Sequence, residues 1–122
     1  MFDYKPAHYI LDENLEPVLC EDPTLWTGWF FNTDRRVQQD DFSGVCVSTI
    51  FLGLDHQFGD GPPLLYETMV FGGKYDQWCR RHPTRMAALA YHDQMVTQAR
   101  LAARPWYQKT WDYLKWVFSQ EK

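Results

Sequence analysis

The hydrophobic pattern of this chain changes period several times, and each change predicts an element. Along residues 8–20, HYILDENLEPVLC, two short apolar runs at 8–11 and 17–20 flank an Asp-Glu-Asn turn, which predicts a small β-hairpin. Pro17 suits a strand start or edge, because it has no N–H to give to a ladder. A short helix follows in EDPTLWTGWFFN, with Asp22 as N-cap and Pro23 at the first helical position. Its rings at Trp26, Trp29 and Phe30 recur at i, i+3, i+4, the spacing of one buried face.

The middle of the chain alternates. RRVQQDDF reads as a polar edge strand, and a Ser43-Gly44 turn leads into VCVSTIFLGL, whose β-branched density makes it the strongest strand in the sequence. LLYETMVFGG is its return, and YDQWCRRH a shorter third strand or an extended lead into a helix. From residue 84 to 103 the period becomes helical. Ala88, Leu89, His92, Val96, Ala99 and Ala103 share one face of about five turns capped by Thr84. Pro105 ends that helix and starts another, PWYQKTWDYLKWVFSQ, in which Tyr107, Trp111, Leu114 and Phe118 form an apolar stripe expected to face the core. Trp106, Tyr113 and Trp116 fall off the stripe, as residues of a partner or dimer surface do. The expected fold is α+β: an antiparallel meander of four to five strands with helices packed mainly on one face, in a single domain over residues 1–122.

Composition narrows the function classes. A net charge of −4 is opposite to what a nucleic-acid binder carries, so no nucleic-acid partner is expected. The N-terminal sequence lacks the basic and apolar regions of a signal peptide, and no run approaches the length of a membrane span, so no membrane partner is expected either. Cys20, Cys46 and Cys79 are odd in number and widely spaced, which fits neither a disulfide framework nor a structural zinc site. The surplus of large rings fits a planar-ligand pocket or a partner surface.

Candidate chemistry gathers around LGLDHQFGDGPPLLYETMVFGG. Strand alternation puts Glu67 among apolar neighbours, where a carboxylate must find a partner or lose its charge. Asp55 and His56 stand where the preceding strand runs out, a place from which polar groups line a pocket mouth. His92 lies in the apolar face of the long helix and is expected to reach Glu67, His56 or a backbone carbonyl. A metal held by His56, His92 and a carboxylate lacks any supporting ligand spacing, so no metal is assigned. HQFGDGPP is read as a turn rather than a phosphate nest, since neither a Lys nor a helix follows it. Arg80 and Arg81, just before the helix start, are the natural contacts for a phosphate.

The run at 47–73, followed by Thr84 and by His92 eight residues later, resembles a family of small proteins encoded by tailed phages and prophages. Members carry VSTVFLGLDH-x-FG-x-GPPLLFETMVFGG. This chain departs from that pattern at Tyr66, at Asp60 and in the Arg-Met-Ala after Thr84. The resemblance implies a phage origin and action in the cytoplasm of an infected bacterium, and it brings no catalytic assignment.

Together these readings give the expectation of a binding protein without cofactor or catalytic residue, a counter-defence factor sequestering a nucleotide-like host immune signal. Its ligand-binding residues are Asp55, His56, Glu67, Arg80, Arg81 and His92. The alternatives are an inhibitor that binds a host defence protein through the aromatic C-terminal helix, and a small hydrolase using His56 or His92 with Glu67. A homo-oligomer is expected in either binding case.

Overall fold

The computed structural model describes residues 6–120. Strands β1 (Tyr9–Leu11) and β2 (Pro17–Leu19) form the first hairpin, with Tyr9 opposite Leu19. Asp12 builds its turn: one carboxylate oxygen accepts from the N–H groups of Asn14 (2.8 Å) and Glu16 (2.9 Å). Helix α1 (Pro23–Asn32) starts as its sequence predicts, the Asp22 carboxylate accepting from Thr24 and Leu25 N–H. The indole of Trp26 pins this helix to the sheet end by donating to the carbonyls of Tyr9 (3.1 Å) and Gly53 (3.0 Å).

The main sheet is a four-stranded antiparallel meander in sequence order: β3 (Arg36–Phe42), β4 (Val45–Phe51), β5 (Tyr66–Phe71) and β6 (Cys79–His82). The Ser43-Gly44 turn between β3 and β4 has positive φ at both residues, the backbone twist that a two-residue hairpin needs. Alternation then sorts the faces. Val45, Val47, Thr49 and Phe51 of β4, with Tyr66, Thr68 and Val70 of β5, are buried beneath helix α2 (Arg85–Ala103). Thr84 caps that helix by accepting from Ala87 N–H. The helix buries Ala88, His92, Met95 and Ala99, so Met95 takes a core position that the sequence pattern does not mark.

Two apolar clusters result. One holds Val45, Val47, Val70, Met95 and Ala99; the other holds Phe51, Leu65, Tyr66 and Ala88. Thr49, Thr68 and His92 are buried as well, but belong to neither. Among the described residues no helix packs on the opposite face of the sheet, which carries Cys46, Ser48, Ile50, Glu67, Met69 and Phe71.

Helix α3 (Trp106–Ser119) departs from the sequence expectation. Its described stripe is not core: Trp111, Leu114 and Phe118 are exposed, and among the described residues no strand or helix packs along it. Polar contacts hold it instead. The Arg104 guanidinium donates to the Asp112 carboxylate, and Lys109 donates to the Ala102 carbonyl (3.1 Å). Tyr107 and Trp106 have side chains outside the described set. Among the described residues no helix is long and apolar enough to cross a membrane.

Candidate functional site

The six residues singled out from sequence do not converge; the fold assigns them to four places. Asp55 organises the loop between β4 and β5. Its carboxylate accepts from the N–H groups of Gln57 (2.8 Å) and Leu64 (3.1 Å), while its own N–H donates to Ala7. His56 lies in the same loop, half-buried, its backbone N–H tied to the Leu64 carbonyl (3.1 Å). The HQFGDGPP segment is thus a closed turn, with Gln57 accepting from Gly59 N–H and donating to the Pro62 carbonyl.

Glu67 and Arg81 lie opposite each other in the β5–β6 ladder, on the sheet face away from α2. The Arg81 guanidinium donates to the Glu67 carboxylate at 3.0 Å, which meets the carboxylate's need for a partner. Cys79 stands on the same face; burial and the neighbouring Glu67 raise its thiol above the usual range.

His92 meets neither Glu67 nor His56, because it enters the sheet from the other side. Fully buried, it bridges Thr49 at Nδ1 and Asp40 at Nε2, both at 2.7 Å. Thr49 in turn shares a hydrogen bond of 2.7 Å with Thr68. One arrangement satisfies every group: Nε2–H donates to Asp40, Nδ1 accepts from the Thr49 hydroxyl, and Thr49 accepts from Thr68. The carboxylate end alone approaches solvent. The hydrogen bonds from His92 and Gln38 hold the Asp40 carboxyl below its ordinary range. An Asp–His–Thr chain resembles a nucleophilic relay in composition. Here both hydroxyls are fully buried, so no substrate reaches them, and the chain closes a gap between the two apolar clusters. Sequence reasoning marked His92 but missed Asp40 and Thr49, whose contact depends on strand register.

Arg80 occupies the fourth place, on the α2 side of edge strand β6. There a shallow groove of about 320 Å³ runs between strand and helix, lined by Arg80, His82, Ala87, Ala90, Tyr91 and Gln94. Arg80 and His82 alternate onto one strand face, and residues 87, 90, 91 and 94 share one helix face. The small Ala87 and Ala90 leave the gap. The Arg80 guanidinium lies 5.2 Å from the centre of the Tyr91 ring, and the His82 ring 5.1 Å from it. His82 is only 4% exposed, and its Nε2 has no hydrogen-bond partner among the described residues. Burial, with the charge of Arg80, lowers its pKa, so its ring is neutral at pH 7.

No family model, curated protein or solved structure matches this chain.

Among the described residues no three His, Cys, Asp or Glu side chains come together as a metal-holding group. Helix α3 carries several exposed large apolar side chains. Trp111, Tyr113, Trp116 and Phe118 are 56%, 62%, 61% and 65% exposed, so large rings point outward on both sides of this helix. Tyr113 and Trp116 lie 6.4 Å apart between ring centres, and the Lys115 ammonium stands 5.6 Å from the Trp111 ring. Gln108, Asp112 and Val117 are the half-buried ones among its described residues, and Asp112 is ion-paired with Arg104. Its polar contacts tie α3 to the end of α2, and its described rings stand open to solvent for a partner.

Proposed function

We propose that this chain is a binding protein that acts on a partner protein through the aromatic face of α3. The observation that carries the reading is the exposure of that helix: a salt bridge and a carbonyl contact tie it to the end of α2, and Trp111, Leu114 and Phe118 face solvent. Exposed Trp, Tyr and Phe grouped on one rigid element are the residues that anchor interfaces, and an amphipathic helix fits an apolar groove on another protein. The resemblance of residues 47–73 to tailed-phage proteins supports a host protein, met in the bacterial cytoplasm during infection, as that partner. Inhibition of a defence protein is the function this implies.

Sequestration of a nucleotide-like signal, by contrast, asks for Asp55, His56, Glu67 and His92 around one pocket. Asp55 caps a loop, Glu67 pairs with Arg81 and His92 closes the buried network, so that reading loses its predicted walls. A hydrolase using His92 faces the same obstacle.

The test is a photo-crosslinking amino acid placed at position 114 of the full chain expressed in a bacterium. The expected result is a discrete adduct with one host protein. That protein, purified, should bind the unmodified chain and lose at least about tenfold in affinity with Trp111→Ala, the cost of about 1.4 kcal/mol or more that an interface anchor carries. An adduct of twice the chain's own mass would replace the host protein with a second copy. No adduct, or unchanged affinity in Trp111→Ala, would remove α3 as the working surface.

A further inference from the structure

We infer that the groove between β6 and α2 is a binding site for a small phosphate monoester, independent of α3. Its lining combines a cationic fork, an amide, an aromatic ring and a buried unpartnered imidazole nitrogen. Arg80 offers a guanidinium fork, the group best matched to paired phosphate oxygens. Gln94 adds an amide donor from the helix wall, and the Tyr91 ring supplies a flat side for the organic part of an ester.

His82 gives the reason to expect an occupant. A buried ring nitrogen without a partner is costly to the fold, and native structures seldom leave one so. It lines the groove beside Arg80, with the Tyr91 ring packed against its own. A phosphate oxygen reaching past a tilted Tyr91 ring accepts from Nε2–H, and the ring that burial keeps neutral then gains an anionic partner. The groove has the volume of a small-ligand site at the lower end of the usual range, about 300 Å³. Arg80 is exposed and its counterpart Arg81 is committed to Glu67 on the other face, so Arg80 is the guanidinium available to this site.

The neighbouring Tyr66 stands opposite His82 in the ladder, and its hydroxyl also lacks a partner among the described residues. Two unsatisfied polar groups on one cross-strand row mark this end of the sheet as the part of the core built least like a closed one.

The probes are phenyl phosphate and benzoate, which share a ring and differ in the anion, titrated into the full chain while its histidine-ring NMR signals are followed. Saturable movement of the His82 signals by phenyl phosphate is expected, with benzoate at least fivefold weaker. Arg80→Ala and Gln94→Leu, both at exposed positions that leave the fold intact, should weaken phenyl phosphate by at least tenfold and by a few fold respectively. Absence of saturation overturns the site, as does movement that neither variant alters. Equal binding of benzoate overturns the assignment to phosphate.

Discussion

His92 shows how one residue can be polar, central and structural at once. Removing a neighbour from its chain strands buried groups, which costs more than a hydrogen bond contributes. Thr49→Val leaves both His92 Nδ1 and Thr68 without a partner, and should lower stability by about 1–3 kcal/mol, read as a shift in the urea midpoint. Adding Thr68→Val should cost less than the sum of the two single changes, because they share one network. The same chain sets a pH dependence. Asp40 has its folded pKa depressed by His92 and Gln38, so its contribution is full above the unfolded carboxylate value and is lost as pH falls through the folded one. Asp40→Asn should therefore be less stable than the parent at neutral pH, and the gap should close in acid. His82 acts in a higher window. Its pKa is lowered by burial, so the unfolded chain takes up a proton first, and stability falls as pH drops below the ordinary histidine value of about 6.5. His82→Gln should flatten that upper part of a stability-against-pH curve, measured by urea unfolding, and leave the lower part in place. His92 was visible in the sequence as a polar residue on an apolar helix face. Its partners were not, since Asp40 sits in a strand that reads as a solvated edge, and a one-residue slip in register would have turned it away.

Elements were more legible than contacts. The Asp22–Pro23 start, the Ser43-Gly44 turn, the β-branched run of β4 and the Thr84 cap each carry a local physical signal, and each element begins where that signal stands. The VFGG ending of β5 also has a local reason. Gly72 has φ +86°, and a Cβ there would lie 2.3 Å from the carbonyl oxygen of Gly44. Gly72→Ala should destabilise the chain by about 2 kcal/mol or more, measured by thermal or urea unfolding, because it combines left-handed strain with a backbone clash. The stripe of α3 was read correctly as a stripe and wrongly as core. Periodicity identifies two sides of a helix but not whether either packs, and here the Arg104–Asp112 and Lys109–Ala102 contacts tie α3 to the end of α2 and leave the stripe exposed. Trp111→Ser with Phe118→Ser should accordingly change stability by no more than about 0.5 kcal/mol for each substitution, whereas the same truncations in a core would cost about 3–5 kcal/mol. Differential scanning calorimetry separates these outcomes.

At the scale of the whole molecule, the α+β class followed from period changes alone, and the four-stranded meander from strand strength and turn chemistry. The site did not follow. Asp55, Glu67 and His92 were chosen because each is a polar group in an apolar context, and each proves to be satisfied by the fold that created the context. The groove residues Tyr91 and Gln94 look ordinary in sequence, and only the pairing of β6 beside α2 brings them to Arg80 and His82. Because no α3 side chain among the described residues joins either apolar cluster, a chain ending at Arg104 should keep a single cooperative unfolding transition near the parent's midpoint, checked by circular dichroism. The division of indoles between body and helix has an optical consequence. Trp26 and Trp29 are half-buried, while Trp78, Trp111 and Trp116 are more than half exposed, so intrinsic emission is dominated by water-relaxed, readily quenched fluorophores. A partner that covers α3 would shift that emission to shorter wavelength and shield it from iodide, which lets the chain report its own occupancy without a label.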